Sequence, residues 1–512
     1  MEASMAHELR GIFAANHKQS NSYYRWSPPQ WARYLNDLKA WGLNALGIYP
    51  MHFADWTGVS RPWSDAPAWA APEREAEWRQ FWLCQVAVSQ MARSSGVTFA
   101  LWVPPNDVFP DEVTLSMNRG GGPYVCPSVP EARAAILSCR EKLIANLPHV
   151  DVLFIPAHDN GGCPCSDCTP WVKTYLKLVE ETADVLRRYH PRAEVWISNQ
   201  GLEEDENRIL HAILKIGRPG WLSRIAFGPH SQDLPALAAA AGDAYPLVLY
   251  PDITHAWHCQ HPVPEFHPVY RQVYRRDAPS YRPAAIAGVF QRSAQFATGS
   301  IPYSEGIHDD LNKAVWLSLA ADPSLSPQSV VASYCQRHFP EQASQAAERA
   351  VPMLERNWEL DPGDPQMAEP LGVLSEVTDD AALANNWRWR MLLLRARLDA
   401  AIASRVRHDR QLRHQVAQRL THGEYDAREA ARAGLAMLKE ALARPQKGIS
   451  DTELARLRQD RDDIRSLCGL DVSAVDRIQE PLEGLSQMAA RLEEITKLES
   501  VQDARRALRE LY

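Results

Sequence analysis

Residues 150–171 read VDVLFIPAHDNGGCPCSDCTPW. An apolar run stops abruptly at His158-Asp159-Asn160, two glycines follow, and three cysteines precede a new segment. In that segment Val172, Leu176, Val179, Ala183 and Leu186 recur at intervals of three and four, which is one face of a helix. The stretch therefore reads as strand, polar turn, helix. Working outward, the same alternation recurs from the N-terminus to about residue 340. Candidate strands are GIFAAN (11–16), NALGIYP (44–50), TFALWVPP (98–105), VDVLFIPA (150–157), AEVWISN (193–199), RIAFGP (224–229), PLVLYPD (246–252) and AAIAGVFQ (284–291). Near-continuous apolar strands separated by helical patterns imply a parallel sheet covered on both faces. Eight such units in about 300 residues fit a (β/α)8 TIM barrel. A doubly wound open sheet is the rival, and it is disfavoured because no Gly-rich phosphate loop follows the first strand.

From PEQASQAAERAVPMLERNW onward the chain turns rich in Ala, Leu, Arg and Glu. Trp387, Met391, Leu394, Leu398 and Ile402 form one helical stripe, and Leu485, Met488, Leu492 and Ile495 another. This predicts a catalytic barrel over 1–340 and a C-terminal all-α helical bundle over 341–512. The Pro/Gly stretch LDPGDPQMAEPLG marks a break between helices. A chain of 512 residues is long enough for two or three cores.

The net charge of −8 argues against a nucleic-acid or anionic-membrane partner, since either requires a basic face. No apolar run reaches the roughly 18 residues needed to span a bilayer. The start, MEASMAHELRGIF, lacks a basic segment followed by an apolar core, so the expected location is cytoplasmic. The 17 tryptophans include several at strand ends and in loops, where flat aromatic faces suit sugar rings. A charged, amphipathic helical domain is also a candidate surface for homo-oligomers.

In a parallel barrel the site lies at the carboxyl ends of the strands. The residues there are Asn16 and His17, His52 and Asp55, Asn106 and Asp107, His158-Asp159-Asn160, Asn199-Gln200, His230, Asp252 and His255, and Gln291 with the downstream PYSEGIHDD. So many hydrogen-bonding groups at one rim suit a polyhydroxylated substrate. Asp159 is the first catalytic candidate. A carboxyl at the mouth of an apolar strand is partly desolvated, which suits a general acid, and Gly161-Gly162 let the backbone turn behind it. The alternative is that Asp159 caps a turn through Asn160-Gly161. Glu305 is the second carboxylate, as base or nucleophile, with Asp252 as its substitute. Asp309 and Asp310 fall in the first turn of the next helix, where Asp309 and Lys313 have the spacing of an ordinary surface ion pair.

Cys163, Cys165 and Cys168 give C-x-C-x-x-C, a spacing that fits a structural zinc with a fourth ligand such as Cys126 or a histidine. A loop-closing disulfide or plain thiols are the alternatives. Six other cysteines (Cys84, Cys126, Cys139, Cys259, Cys335, Cys468) are scattered and read as small buried side chains. His255, His258 and His261 recur every three residues in a Pro-rich loop, without the H-E-x-x-H pattern of zinc peptidases. No cofactor is expected for catalysis.

Three motifs carry a family resemblance: IPAHDNGGCPCSDC after strand four, YVCPSVPEAR (124–133) after strand three, and YSEGIHDDLNKAVW after the last strand. With the helical domain behind them, they resemble the TIM-barrel glycoside hydrolases of the β-hexosaminidase and α-glucuronidase type. In the hexosaminidases a carboxylate pair follows strand four; here the pair is Asp159-Asn160, so only the first position matches. The departure shifts the second role to Glu305 or Asp252. The resemblance implies hydrolysis of an amino sugar- or uronic acid-containing glycan by two-carboxylate chemistry. Asp159 would donate the proton and Glu305 would activate water or attack. Asn106, His158, Asn199, Asp252, His255 and Tyr303 would hold the sugar, with Trp102 or Trp257 beneath its ring. A non-catalytic carbohydrate-binding or scaffold barrel is the reading from a different class, and metal-dependent hydrolysis a third.

Overall fold

The computed structural model describes residues 6–16, 22–49, 72–108, 124–158, 161–255, 265–377, 381–421, 426–443 and 448–511. Seven of the expected strands form where the apolar runs predict them: β1 (Leu9–Ala15), β2 (Ala45–Tyr49), β3 (Thr98–Trp102), β4 (Val152–Ile155), β5 (Glu194–Ser198), β6 (Arg224–Phe227) and β7 (Leu247–Leu249). Each pairs in parallel with the next, and the ring closes through β8 (Gly299–Ser300) and β9 (Tyr303–Ser304) onto β1. Because β1 also pairs with β2, the sheet is a closed eight-strand barrel rather than a doubly wound open sheet. The helices after the first six strands are α1 (Pro28–Ala40), α2 (Pro72–Ser94), α3 (Pro130–Ala145), α4 (Trp171–Tyr189), α5 (Glu204–Ala212) and α6 (Leu234–Ala241).

The interior is filled by alternate residues of the strands, as the pleat requires. Phe13, Ala15, Tyr49, Ala100, Trp102, Val152, Phe154, Trp196, Ala226, Val248, Tyr250 and Ile301 form one buried cluster. Gly47 lies on the same inward face, and a Cβ there would stand 2.5 Å from the Phe13 ring. A strand glycine at this position makes room for a large neighbour.

The eighth strand departs from expectation. The run AAIAGVFQ, read as a strand, lies inside α8 (Pro283–Ser293), so Gln291 is a helical residue rather than a strand-end one. Pro283 opens that helix, and Ile286, Ala287 and Phe290 are its buried face, at intervals a strand cannot use. The true strand is short and built from small and polar residues, which give no apolar signal. Pro302 divides it, yet its carbonyl still accepts from the Phe13 amide at 2.8 Å. Glu305 nevertheless follows the eighth strand, as expected.

α9 (Asp310–Ala321) is buried on nearly every side, so the Asp309–Lys313 pair, expected at the surface, is wholly enclosed, both side chains being 0% exposed. An i,i+4 charge spacing does not distinguish a surface helix from one packed on all faces.

Two compact units emerge, one of residues 1–264 and 283–330, the other of residues 265–282 and 331–512. The second unit takes in α7 (Pro268–Tyr274), a segment that precedes α8 in sequence. α10 (Pro327–His338) spans the division, and α11 (Glu341–Arg356), α12 (Glu369–Leu374), α13 (Ala381–Ala384) and α14 (Trp387–Thr421) follow. Met391, Leu394, Leu398 and Ile402 are buried along α14 as their spacing predicts. Beyond it are α15 (Ala427–Leu442), α16 (Asp451–Cys468), α17 (Ala474–Arg477), α18 (Leu485–Lys497) and α19 (Val501–Arg509). The Leu485, Met488, Leu492 and Ile495 stripe of α18 packs in one core with Val416, Leu435 and Leu438. This unit also encloses Arg395, which lies over the rings of Tyr274 and Trp358 and donates to Asp399 at 2.8 Å. Among the described residues no helix is long and apolar enough to cross a membrane.

Candidate active site

The carboxyl ends of β7 and β9 meet in one corner of the barrel rim, where Asp252 and Tyr303 form a single parallel bridge. Asp252 begins a tight turn: its Oδ1 accepts the amides of Thr254 at 2.8 Å and His255 at 3.0 Å. Its other oxygen accepts from His255 Nδ1. A carboxylate can only accept, so Nδ1 carries a proton and His255 presents Nε2 outward from Asp252. That nitrogen lies 3.4 Å from Glu305 Oε2. Tyr303 donates its hydroxyl to Glu305 Oε1 at 2.7 Å, and its ring stacks on His255. Asp252, His255 and Glu305 are each 3% exposed or less.

This order of groups fixes where a proton must be. A neutral His255 with its hydrogen on Nδ1 would turn a lone pair toward an ionised Glu305, two acceptors face to face. One proton shared along the His255–Glu305 edge removes that clash. Glu305 thus has the Tyr303 hydroxyl on one oxygen and the His255 imidazole 3.4 Å from the other.

Beneath this corner lies a buried polar knot that fixes the Glu305 backbone. The Glu305 amide donates to Thr254 Oγ1 at 3.0 Å, and that hydroxyl donates on to Asp309. Lys313 pairs with Asp309 and donates to Tyr23 Oη at 2.7 Å, to the Gly306 carbonyl at 2.7 Å and to Ser304 Oγ at 3.1 Å. Burial works against the Lys313 charge, but Asp309, Tyr23 and Asp310 outweigh it and raise its pKa above the ordinary lysine value. Burial pushes the Tyr23 phenol up to about 12, and the Tyr34 phenol, which donates to Asp310 at 2.6 Å, also rises well above its usual range.

Across the rim, Asn106 serves its own loops. Its amide donates to the carbonyls of Val125 at 2.8 Å and Gly162 at 2.9 Å, and its oxygen accepts the Gly162 amide at 2.8 Å. Arg140, from α3, donates to the Pro104 carbonyl at 2.8 Å and to that of Pro105; burial pulls its pKa down to about 9. His158 Nδ1 lies 3.3 Å from the Gly161 carbonyl, and its side chain abuts Gly201, where a Cβ would come within 2.8 Å. Asn199 donates to Asn207 at 3.0 Å. Among the described residues, three buried side-chain oxygens at strand ends, on Asn16, Asn199 and Gln200, have no hydrogen-bond partner, and neither has the indole nitrogen of Trp102.

Of the residues expected from sequence, the structure joins Asp252, His255, Tyr303 and Glu305 in one hydrogen-bonded group. Asn106, His158 and Asn199 lie on the β3 to β5 side. Trp102, expected beneath a sugar ring, is 2% exposed and packs against Tyr49 inside the barrel. Asp159, Asn160, Trp257, His258 and His261, with His17, His52 and Asp55, lie outside the described residues. Sequence reasoning missed Thr254, Ser304, Tyr23, Tyr34 and the interior setting of Lys313. The signal for Thr254 was its place two residues after Asp252, the spacing of a side-chain-stabilised turn. For Lys313 it was the apolar residues surrounding it in LNKAVWLSLA.

The expected cysteine cluster gathers Cys126 with Cys163, Cys165 and Cys168, their sulfur atoms all within 4.8 Å of one another.

No family model matches the chain, and no curated protein matches it in sequence. Among solved structures, a GH138 enzyme targeting pectin rhamnogalacturonan II aligns with a TM-score of 0.53 at 12% identity, over 98% of this chain and 69% of its own. A GH89 protein from Clostridium perfringens, in complex with its substrate GlcNAc-alpha-1,4-galactose, aligns at 0.49 and 10% identity, over 99% of this chain and 64% of its own. The GH20 beta-N-acetylhexosaminidase from Streptomyces coelicolor A3(2) covers 67% of this chain and 69% of its own, at a TM-score of 0.38 and 13% identity. At such identities the likeness is one of fold. The first of these alignments spans the helical unit as well as the barrel.

Proposed function

We propose that the chain is a glycoside hydrolase that cleaves a terminal amino sugar or uronic acid from a glycan by two-carboxylate chemistry. The observation that carries this reading is Glu305, enclosed at the carboxyl rim of a parallel barrel with the Tyr303 hydroxyl and the His255 imidazole facing its two oxygens; in this reading its anion is the working form. In this reading Glu305 supplies the base or nucleophile and Asp159, which follows β4 in the sequence, protonates the departing oxygen. Asp252 is a positioning residue: it accepts from the Thr254 amide, the His255 amide and the His255 ring, which orients the turn and the imidazole. The unmet oxygens of Asn16, Asn199 and Gln200 would receive sugar hydroxyls. The fold shared with a GH138 enzyme targeting pectin rhamnogalacturonan II supports a glycan as the substrate.

The test is a panel of aryl glycosides and defined oligosaccharides, presented to the wild type and to Asp159→Asn and Glu305→Gln. Turnover by the wild type, lost in each variant while sugar binding and melting temperature persist, is the expected result. Wild-type rates in both variants would refute the assignment. Binding with no product from any enzyme form would make the barrel a carbohydrate-binding protein instead.

A further inference from the structure

The cysteine cluster lies apart from the carboxylate corner, and nothing in the proposed chemistry uses it. Its four sulfurs come from two loops: Cys126 from the segment between β3 and α3, and Cys163, Cys165 and Cys168 from the segment between β4 and α4. Cys126 lies 3.6 Å from both Cys165 and Cys168. A disulfide brings its sulfurs to about 2.05 Å, so neither contact is a disulfide. A tetrahedral zinc with four thiolates at about 2.3 Å spaces its sulfurs by about 3.8 Å, close to what is seen.

We propose that these four cysteines bind one Zn2+ as a closed tetrathiolate that clamps the β3 loop to the β4 loop. The backbone is already folded to present the thiols. The amides of Cys168 and Thr169 both donate to the Cys165 carbonyl, which curls the C-x-x-C portion into a turn. Gly162, at φ +115°, takes a left-handed conformation just before Cys163, where a Cβ would also strike the His158 ring at 2.9 Å. Ser128 stands as an outer partner, 3.0 Å from Cys168 Sγ, and donates to the Asp167 carbonyl at 3.2 Å. Asn106 joins the same two loops one residue from the cluster on each side, through Val125 and Gly162. Soft thiolates select zinc or iron over calcium and magnesium. Four protein ligands leave no open position, so the ion is structural and takes no part in bond cleavage. Cys163 follows Asp159, the proposed acid, by four residues in the chain, so loss of the ion is expected to lower turnover as well as stability. That last consequence alone rests on the proposed function; the metal site does not.

The experiment is elemental analysis of the full chain purified without added metal, with release of the ion by a mercurial thiol reagent. One zinc per chain, released as four thiols are titrated, is expected. The Cys126→Ser variant should lose the zinc and melt at lower temperature, while Cys468→Ser, in the helical unit, should keep it. Cobalt exchanged into the site should show the intense sulfur-to-metal absorption and the visible bands of tetrahedral thiolate coordination. One iron per chain, four free thiols with no metal, or a disulfide among the four would each overturn the proposal. If Cys126→Ser fails to fold, the metal content and cobalt spectrum of the wild type still decide it. These readouts do not depend on glycoside turnover, so failure of one proposal is distinguishable from failure of the other.

Discussion

Replacing His255 with alanine removes the donor that faces Glu305 Oε2 across 3.4 Å. At an effective dielectric constant of about 20, two unit charges at that separation attract by roughly 5 kcal/mol. Water entering the emptied space recovers more than half of it. On the proposed reading the anion is the working form, so the acid limb of the kcat/KM profile should move to higher pH by about 1–2 units, at 1.36 kcal/mol for each. Below the new limb kcat/KM should fall about 10–100-fold. The assay is the pH dependence of aryl glycoside hydrolysis by wild type and His255→Ala, with melting temperature as the control for folding. An acid limb that stays in place, with kcat/KM within two-fold throughout, would refute the claim that His255 holds Glu305 ionised.

Other consequences follow from the buried groups. Lys313→Met leaves Asp309 enclosed without its cation and should destabilise the protein by about 3–5 kcal/mol in denaturant titration; the double variant with Asp309→Asn should recover part of that loss. The folded Lys313 pKa is raised above 10.5, so its stabilisation is complete below that value and is lost as pH climbs through the higher folded one. A steepened fall in melting temperature above about pH 10.5, absent in Lys313→Met, would report it. Asn106→Ala strips partners from one buried and two part-buried backbone groups and should cost about 1–3 kcal/mol, seen as lower melting temperature and earlier proteolysis between β3 and α4.

The barrel was legible because seven strands announce themselves as apolar runs ending in polar residues, VDVLFIPAHDN being the clearest. The eighth was not, since Gly299, Ser300, Tyr303 and Ser304 owe their place to the gap left by seven closed strands rather than to hydrophobicity. The nearby Ala-rich run offered a false substitute. Glu305 was legible because a carboxylate just before a helix, at the end of a βα unit, has few structural duties. Asp252 and His255 read as sugar contacts or as groups that tune a neighbouring carboxyl, but the turn that brings the ring onto the Asp252 carboxylate leaves no mark in the sequence. Residues 265–282 grouped with the helical unit for a similar reason: a short segment carries no local mark of the core it will join. Arg395, charged yet enclosed by Tyr274, Trp358 and Asp399, could not be placed from composition either.

The claim that an oriented Glu305 carboxylate works on an acetal at the barrel rim is tested most directly by chemical rescue. Glu305→Ala, given an activated aryl glycoside of the accepted sugar and sodium azide, should recover turnover and release a glycosyl azide of inverted anomeric configuration. Wild-type hydrolysis by Glu305→Ala without azide would contradict the account, and so would an inactive variant that azide and formate both leave unrescued.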